Sequence, residues 1–469
     1  MDNHAHAHGW CYLSIRLIET ISASMIERLS QRFFKPVDAL PLNLFRVIFA
    51  LALLLQTYVY SSAHFIEAGI LAPKFLFTYD YLPFIHPLPP AGMKFTLYLM
   101  FIGPVLMIFR KTMKAGIIIF LLSFTYLFLL EESYYNNHFY FFIMLSACWL
   151  FFKSKRDDTG KEVIPYWQLF LFQFLVVLVY FYGGLVKLNH DWIFLQEPAR
   201  TLLTLNAPNS WFSSDIAVYY ITFGGLIFDL LIGFSLWYRR TFLLGAILAI
   251  LFHSTNHFMF NMGDGGTIGI FPLAMSATCL LFAPAEGLRK LLARISLGNI
   301  GRNLSQVKKQ SSNEILFPFK PWIRNLLFSF VFLQLILPFR YLLVSKDVDW
   351  NGQANFFSWR MKIHTKKVDL KFFARKLPND KPELINIGRI INTMQIDIMG
   401  QNADMIYKFS QYLKKELRKT WGTDPIITAD IQVGFNGRPQ QAFVDPNRDL
   451  AQITYSPWTV PDWILPLQE

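Results

Sequence analysis

Residues 167–192 read WQLFLFQFLVVLVYFYGGLVKLNHDW. The stretch from Trp167 to Val186 carries no charged side chain, then closes on Lys187, His190 and Asp191. A helix rising about 1.5 Å per residue needs roughly 20 mostly apolar residues to cross a bilayer core. This run therefore reads as a membrane span with a polar, ionisable end. Similar runs begin near Leu40, Lys94, Ala115, Phe139, Val218, Thr241, Thr267 and Leu326. The expected fold is an α-helical polytopic membrane bundle of about nine spans.

Composition agrees. Of 469 residues 53% are hydrophobic and only 16% charged, against about 25% charged in a soluble domain. Aromatics reach 17%, with 47 Phe, which suits a lipid-solvated bundle. The net charge of +12 does not imply nucleic acid, because no basic stripe with interleaved aromatics exists. Cys148 and Cys279 lie inside apolar runs and Cys11 near the start, so no disulfide framework is expected. The first forty residues are mixed, so no cleavable signal peptide is expected and the first long apolar run reads as a retained helix. His4, His6 and His8 read as part of a flexible tail, and no zinc-spaced Cys pair or His-Glu-x-x-His motif marks a metal site.

Cations in loops set the orientation, because short cytoplasmic loops are enriched in them. Arg110, Lys111 and Lys114 follow the second run, Lys153, Lys155, Arg156 and Lys161 the fourth, and Arg239 and Arg240 the sixth. A longer series from Arg289 to Arg324 follows the eighth, and the N-terminal segment has Arg16, Arg28, Arg32 and Lys35 on a surface-lying amphipathic stretch. The intervening loops are poor in Lys and Arg. All the basic loops fall on one side, the cytoplasm, and an odd number of spans places everything after Leu343 outside.

That last segment changes character. Residues 366–376 alternate, with Val368, Leu370 and Phe372 on one face, as in a half-buried strand. Residues 403–417 put Met405, Ile406, Phe409, Leu413 and Leu417 on one helical face. Residues 430–444 read as a hairpin turning at Asn436-Gly437. The expected division is a cytoplasmic amphipathic segment at 1–39, a transmembrane catalytic domain at 40–343 and an extracytoplasmic α+β domain at 344–469.

Ionisable groups within the membrane are costly and mark functional sites. Four clusters stand out: Tyr134-Tyr135-Asn136-Asn137-His138, Gly183-Gly184 with Lys187 and Asp191, Asp229 after Gly224-Gly225, and His253 with Asn256. The topology puts His138, Lys187 and His253 near one membrane face. Burial disfavours an ammonium, so a lysine in such surroundings becomes a competent base near neutral pH. Its reactant would be apolar enough to arrive through the bilayer and carry an acidic hydroxyl, as a quinol does.

The runs Asn136-Asn137-His138, Lys187-Leu188-Asn189-His190-Asp191-Trp192, Gly224-Gly225-Leu226-Ile227-Phe228-Asp229-Leu230 and Phe252-His253…Asn256 resemble successive signatures of the vitamin K-dependent γ-glutamyl carboxylases. So do Trp350-Asn351-Gly352, Phe357-Ser358-Trp359-Arg360-Met361, Ala403-Asp404-Met405 and Asp445-Pro446…Tyr455-Ser456-Pro457-Trp458. The likeness is colinear from about Leu44 to Leu467. It implies that Lys187 deprotonates reduced vitamin K (phylloquinol or menaquinol), which reacts with O2, removes a γ-proton from glutamate and leaves as epoxide while CO2 adds. It further implies that His138 supports the charged intermediate and that Asn136, Asn137, His253 and Asn256 bind the quinol. Trp359, Arg360 and Asn402 would engage a glutamyl peptide or protein, with Gly183, Gly184, Asp191 and Asp229 as structural support. Membrane lipid and a recycling quinone reductase are the other implied partners. The expected location is a bacterial inner membrane, or the endoplasmic-reticulum lumen side in a eukaryote, with an extracytoplasmic site. Animal members have histidine where this chain has Asn402, and the chain reads as the compact, bacterial form without their C-terminal extension. Two alternatives stay open: a quinol epoxidase without carboxylation, and a non-enzymatic carrier or lipid-binding protein.

Overall fold

The computed structural model describes residues 27–28, 30–206, 214–261, 269–295, 317–344, 347–361 and 363–468. The alternating histidines of the N-terminal tail and the basic residues Arg302, Lys308 and Lys309 lie outside the described residues.

All nine apolar runs are helical. They form α1 (Leu40–Ser62), α2 (Pro90–Ile108), α3 (Met113–Leu130), α4 (Asn137–Trp149), α5 (Tyr166–Leu185), α6 (Asp215–Trp237), α7 (Phe242–Asn261), α8 (Phe271–Thr278) and, after the amphipathic α9 (Ala285–Ile295), α10 (Pro321–Leu343). Among the described residues six are long and apolar enough to cross a membrane: α1, α2, α3, α5, α6 and α10. Phe271–Phe282 and Ala285–Arg294 make a seventh if taken together as one bent span. The other two fall short for a reason. α4 has 13 residues, about 20 Å at 1.5 Å each, because Asn136 caps its start by accepting the His138 amide at 3.1 Å. In α7 the apolar stretch among the described residues is Phe242–Phe258. The polar clusters singled out above lie at the start of α4 and inside α7.

The chain divides into two compact units. The smaller comprises Met1–Leu44, Phe151–Phe174 and Leu280–Leu333. In it β1 (Pro36–Asp38), β2 (Lys155–Arg156) and β3 (Glu162–Pro165) form an antiparallel sheet in the order β1-β3-β2. Asp38 pairs with Arg289 of α9 at 2.5 Å.

The larger unit, Phe45–Leu150, Leu175–Cys279 and Gln334–Glu469, contains every residue of the site described below. Its C-terminal part is a four-stranded antiparallel sheet of β4 (Lys366–Arg375), β5 (Glu383–Leu384), β6 (Ile426–Phe435) and β7 (Gln441–Ala442), in the order β5-β4-β6-β7. β4 and β6 pair from Lys366↔Phe435 to Arg375↔Ile426. Helices α11 (Thr393–Met399) and α12 (Ala403–Trp421) complete it. Met405, Ile406, Phe409 and Leu413 of α12 share a core with Phe372, Ile427, Ala429, Ile431 and Val433. Each of the larger side chains among them contributes about 1.5–3 kcal/mol on burial. The β6–β7 turn has left-handed backbone at Asn436 (φ 49) and Gly437 (φ 74), which Asn and Gly tolerate best.

Candidate active site

One cavity of about 480 Å³ in the larger unit takes in His138, Lys187, His253, Arg360, His364 and Lys366. That volume lies in the usual range for small-molecule sites. Its two ends differ in chemistry.

At the helical end, Lys187 follows α5 and its ammonium nitrogen contacts the Asp229 carboxylate of α6. Gly184 makes the approach possible: a Cβ there would lie 2.8 Å from the Leu230 backbone nitrogen. The Lys187 nitrogen also sits 5.0 Å from the Trp192 ring centroid. Trp192 is pinned in turn, its indole N–H donating to the Thr222 carbonyl at 2.9 Å. Thr222 lies in a π-helical turn, Tyr220–Gly224, inside α6, the kind of irregularity that recurs at functional sites. His253 shares a 2.6 Å hydrogen bond with the Tyr180 hydroxyl. The His138 ring stacks on Phe271 at 5.5 Å. Phe252, Phe271, Met275, Leu202 and Val179 supply apolar wall, so a flat, apolar ring with polar oxygens fits the lining.

The other end comes from the loop before β4. Arg360 donates to Asp349 twice, at 2.9 and 2.5 Å. His364 Nδ1 lies 3.6 Å from the same carboxylate. Lys366 donates to the carbonyls of Trp350 at 2.5 Å and Gln401 at 3.2 Å. Burial would raise the Asp349 carboxyl, but the neighbouring His364 imidazole and the Arg360 guanidinium hold it well below the usual range. Burial pushes the Lys366 ammonium down to about 7 against the pull of Asp349, and pushes His364 down as well. Arg360 and, below about pH 7, Lys366 thus stand as two cations near the single Asp349 carboxylate, while burial keeps His364 neutral, which leaves the end suited to an anion on the acid side.

The loop carrying Arg360 is strained. Ala354, Phe357 and Trp359 all have left-handed φ, at 52°, 56° and 56°, costing about 1 kcal/mol or more each. Their surroundings hold them. The Phe357 amide donates to the Tyr135 hydroxyl at 2.6 Å, and Arg340 donates to the carbonyls of Ala354 and Phe356. Asn137 donates to the Arg360 carbonyl at 3.1 Å and accepts from Tyr135 at 3.0 Å.

The expected site residues sort accordingly. Asn136, Asn137, His138, Gly183, Lys187, Asp229, His253, Asn256, Arg360 and Asn402 all line the cavity. Asn136 and Asn137 are also committed to local structure, as cap and as loop tie. Asn402 accepts the Asp404 amide at 3.0 Å and so caps α12. Trp359 is different: it is fully buried, packs 5.0 Å from Tyr140, and stands behind the lining rather than in it. Asp191 and Gly184 lie outside the lining as well. Missed from sequence were Asp349, His364 and Lys366, and a buried cluster at the cavity rim. There Lys408 bonds Glu132 at 2.9 Å and Asp404 at 2.7 Å.

The chain matches two family models, the HTTM domain over residues 34–286 and the vitamin K-dependent gamma-carboxylase lumenal domain over residues 319–469. Together these follow the chain through both ends of the cavity. The chain belongs to the vitamin K-dependent γ-carboxylase family. As a member of this family it is a membrane protein with an extracytoplasmic domain, and glutamate-containing substrates and reduced vitamin K are what the family uses. No solved structure matches it.

Proposed function

We propose that this carboxylase couples oxygenation of reduced vitamin K to γ-proton removal and CO2 addition on protein glutamate. The observation that carries the reading is the single cavity with an apolar, lysine-bearing end and a cationic end. An epoxidase alone would need only the first. Reduced vitamin K, when bound, supplies the oxygen-driven basicity that a glutamyl γ-proton requires, and leaves as its epoxide. In its deprotonated form the Lys187 amine accepts a hydroxyl proton, and the Asp229 carboxylate offsets the positive charge so gained in a mostly apolar wall. His138 and His253 face the same space from α4 and α7. At the other end Arg360, His364 and Lys366 hold the substrate carboxylate, and the left-handed loop fixes Arg360. Placement matters, because about 1 Å of misalignment can cost on the order of a hundredfold.

Product analysis tests this. Purified protein given reduced vitamin K, bicarbonate and a glutamyl peptide should yield epoxide and carboxyglutamate together. Epoxide alone would leave the epoxidase reading, and neither product would remove both. The orientation has its own test. Single cysteines after residue 344 should react with an impermeant thiol reagent in intact cells, and those at 288–320 should not. Labelling of the 288–320 set would put the cavity on the wrong side for an exported substrate.

A further inference from the structure

The tip of the β6–β7 hairpin reaches the loop that follows Lys187. Arg438 grips Asp191 with both terminal nitrogens, at 2.6 and 2.8 Å, and Asn436 donates to the same carboxylate at 2.7 Å. His190 lies 3.6 Å from it. Gly437 leaves room for the contact: a Cβ there would come within 3.0 Å of the Glu197 carboxylate. Bidentate guanidinium–carboxylate pairs fix orientation as well as distance. Asp191 opens a π-helical turn, Asp191–Leu195, whose next residue is Trp192. Trp192 is held by the Asn189 side chain at 2.9 Å and by Thr222, and its ring lies against the Lys187 ammonium. The contacts run without a gap from the hairpin through Asp191 and Trp192 to Lys187.

We propose that Arg438 and Asn436 are positioning residues for Lys187, so that the extracytoplasmic hairpin sets the base in place by clamping Asp191. The inference rests on reading Lys187 as the base. It makes the seating of the C-terminal sheet a condition for quinol chemistry, although no residue of the hairpin touches the quinol end of the cavity.

The test uses full-length protein in nanodiscs with Arg438→Ala, Asp191→Asn, the exchange Asp191→Arg with Arg438→Asp, and Arg448→Ala as control. Arg448 makes a single, exposed ion pair with Asp462 elsewhere in the C-terminal part, at 3.0 Å. Arg438→Ala should speed amide hydrogen exchange in residues 186–196 and lower kcat for quinol oxidation by about 10–100-fold. KM for the glutamyl peptide should change less than twofold, and the acid limb of the pH–rate profile should move. The exchange pair should recover part of the loss, and Arg448→Ala should match wild type. Unchanged exchange at 186–196, or a kcat loss that only follows the folded fraction, would overturn the proposal. If wild type oxidises no reduced vitamin K, the base reading of Lys187 fails separately, and exchange at 186–196 still decides the clamp.

Discussion

Lys187→Ala should abolish quinol oxygenation, with kcat falling by the roughly 10²–10⁴-fold that a positioned general base contributes. Removing the amine also leaves the Asp229 carboxylate buried without its cation, a cost of several kcal/mol when one partner of a buried pair is lost. Folded protein must therefore be measured alongside activity, by monodispersity and melting in detergent. Asp229→Asn should lower kcat less than Lys187→Ala does, because the amine remains and only its charge partner is lost. Small primary amines should partly restore turnover to Lys187→Ala, entering the space the side chain vacates. Wild-type epoxide formation by the alanine variant would reduce Lys187 to half of a structural ion pair.

Much of this arrangement is legible in the sequence. The basic loops placed His138, Lys187 and His253 at one membrane face, and all three line one cavity. The reason is geometric: helix ends on one side of a bilayer share a narrow layer, so polar residues there have few places to go. Asn436-Gly437 announced its turn because few residue pairs accept two left-handed positions. The Lys187–Asp229 contact was not legible. Both residues drew attention, but their pairing depends on how closely α5 and α6 cross at Gly184, which no single helix's sequence encodes. Trp359 entered through the family resemblance, and its burial against Tyr140 and Phe141 depends on packing that its own motif does not encode. Lys366 left a signal that went unread. It lies in phase with Val368, Leu370 and Phe372 on the inward face of β4, so the alternation itself put a lysine among apolar side chains. Span length was the coarsest reading, because hydropathy marks apolar runs while caps such as Asn136 decide where a helix begins.

Lys366 also gives the sharpest separation of the two half-reactions. Its ammonium loses its proton at about 7, so it is charged below that pH and neutral above. A substrate carboxylate should accordingly bind more tightly on the acid side, and KM for a glutamyl peptide should rise as pH climbs through about 7. Lys366→Met keeps the length and removes the charge. Carboxylation kcat/KM at pH 6 should drop about 10–100-fold, the worth of a hydrogen bond to a charged group at ~1.5–3 kcal/mol, and the pH dependence of KM should flatten. Quinol oxygenation at saturating quinol should keep most of its rate, because Lys187, Asp229 and His138 stand at the other end of the cavity. Part of the loss could arise from the Trp350 and Gln401 carbonyls losing their donor, so His364→Gln, which leaves those carbonyls alone, should show the same direction of effect on KM. Equal loss of epoxide and carboxyglutamate in Lys366→Met, with the folded fraction unchanged, would show that the cationic end serves the quinol reaction and not the glutamate.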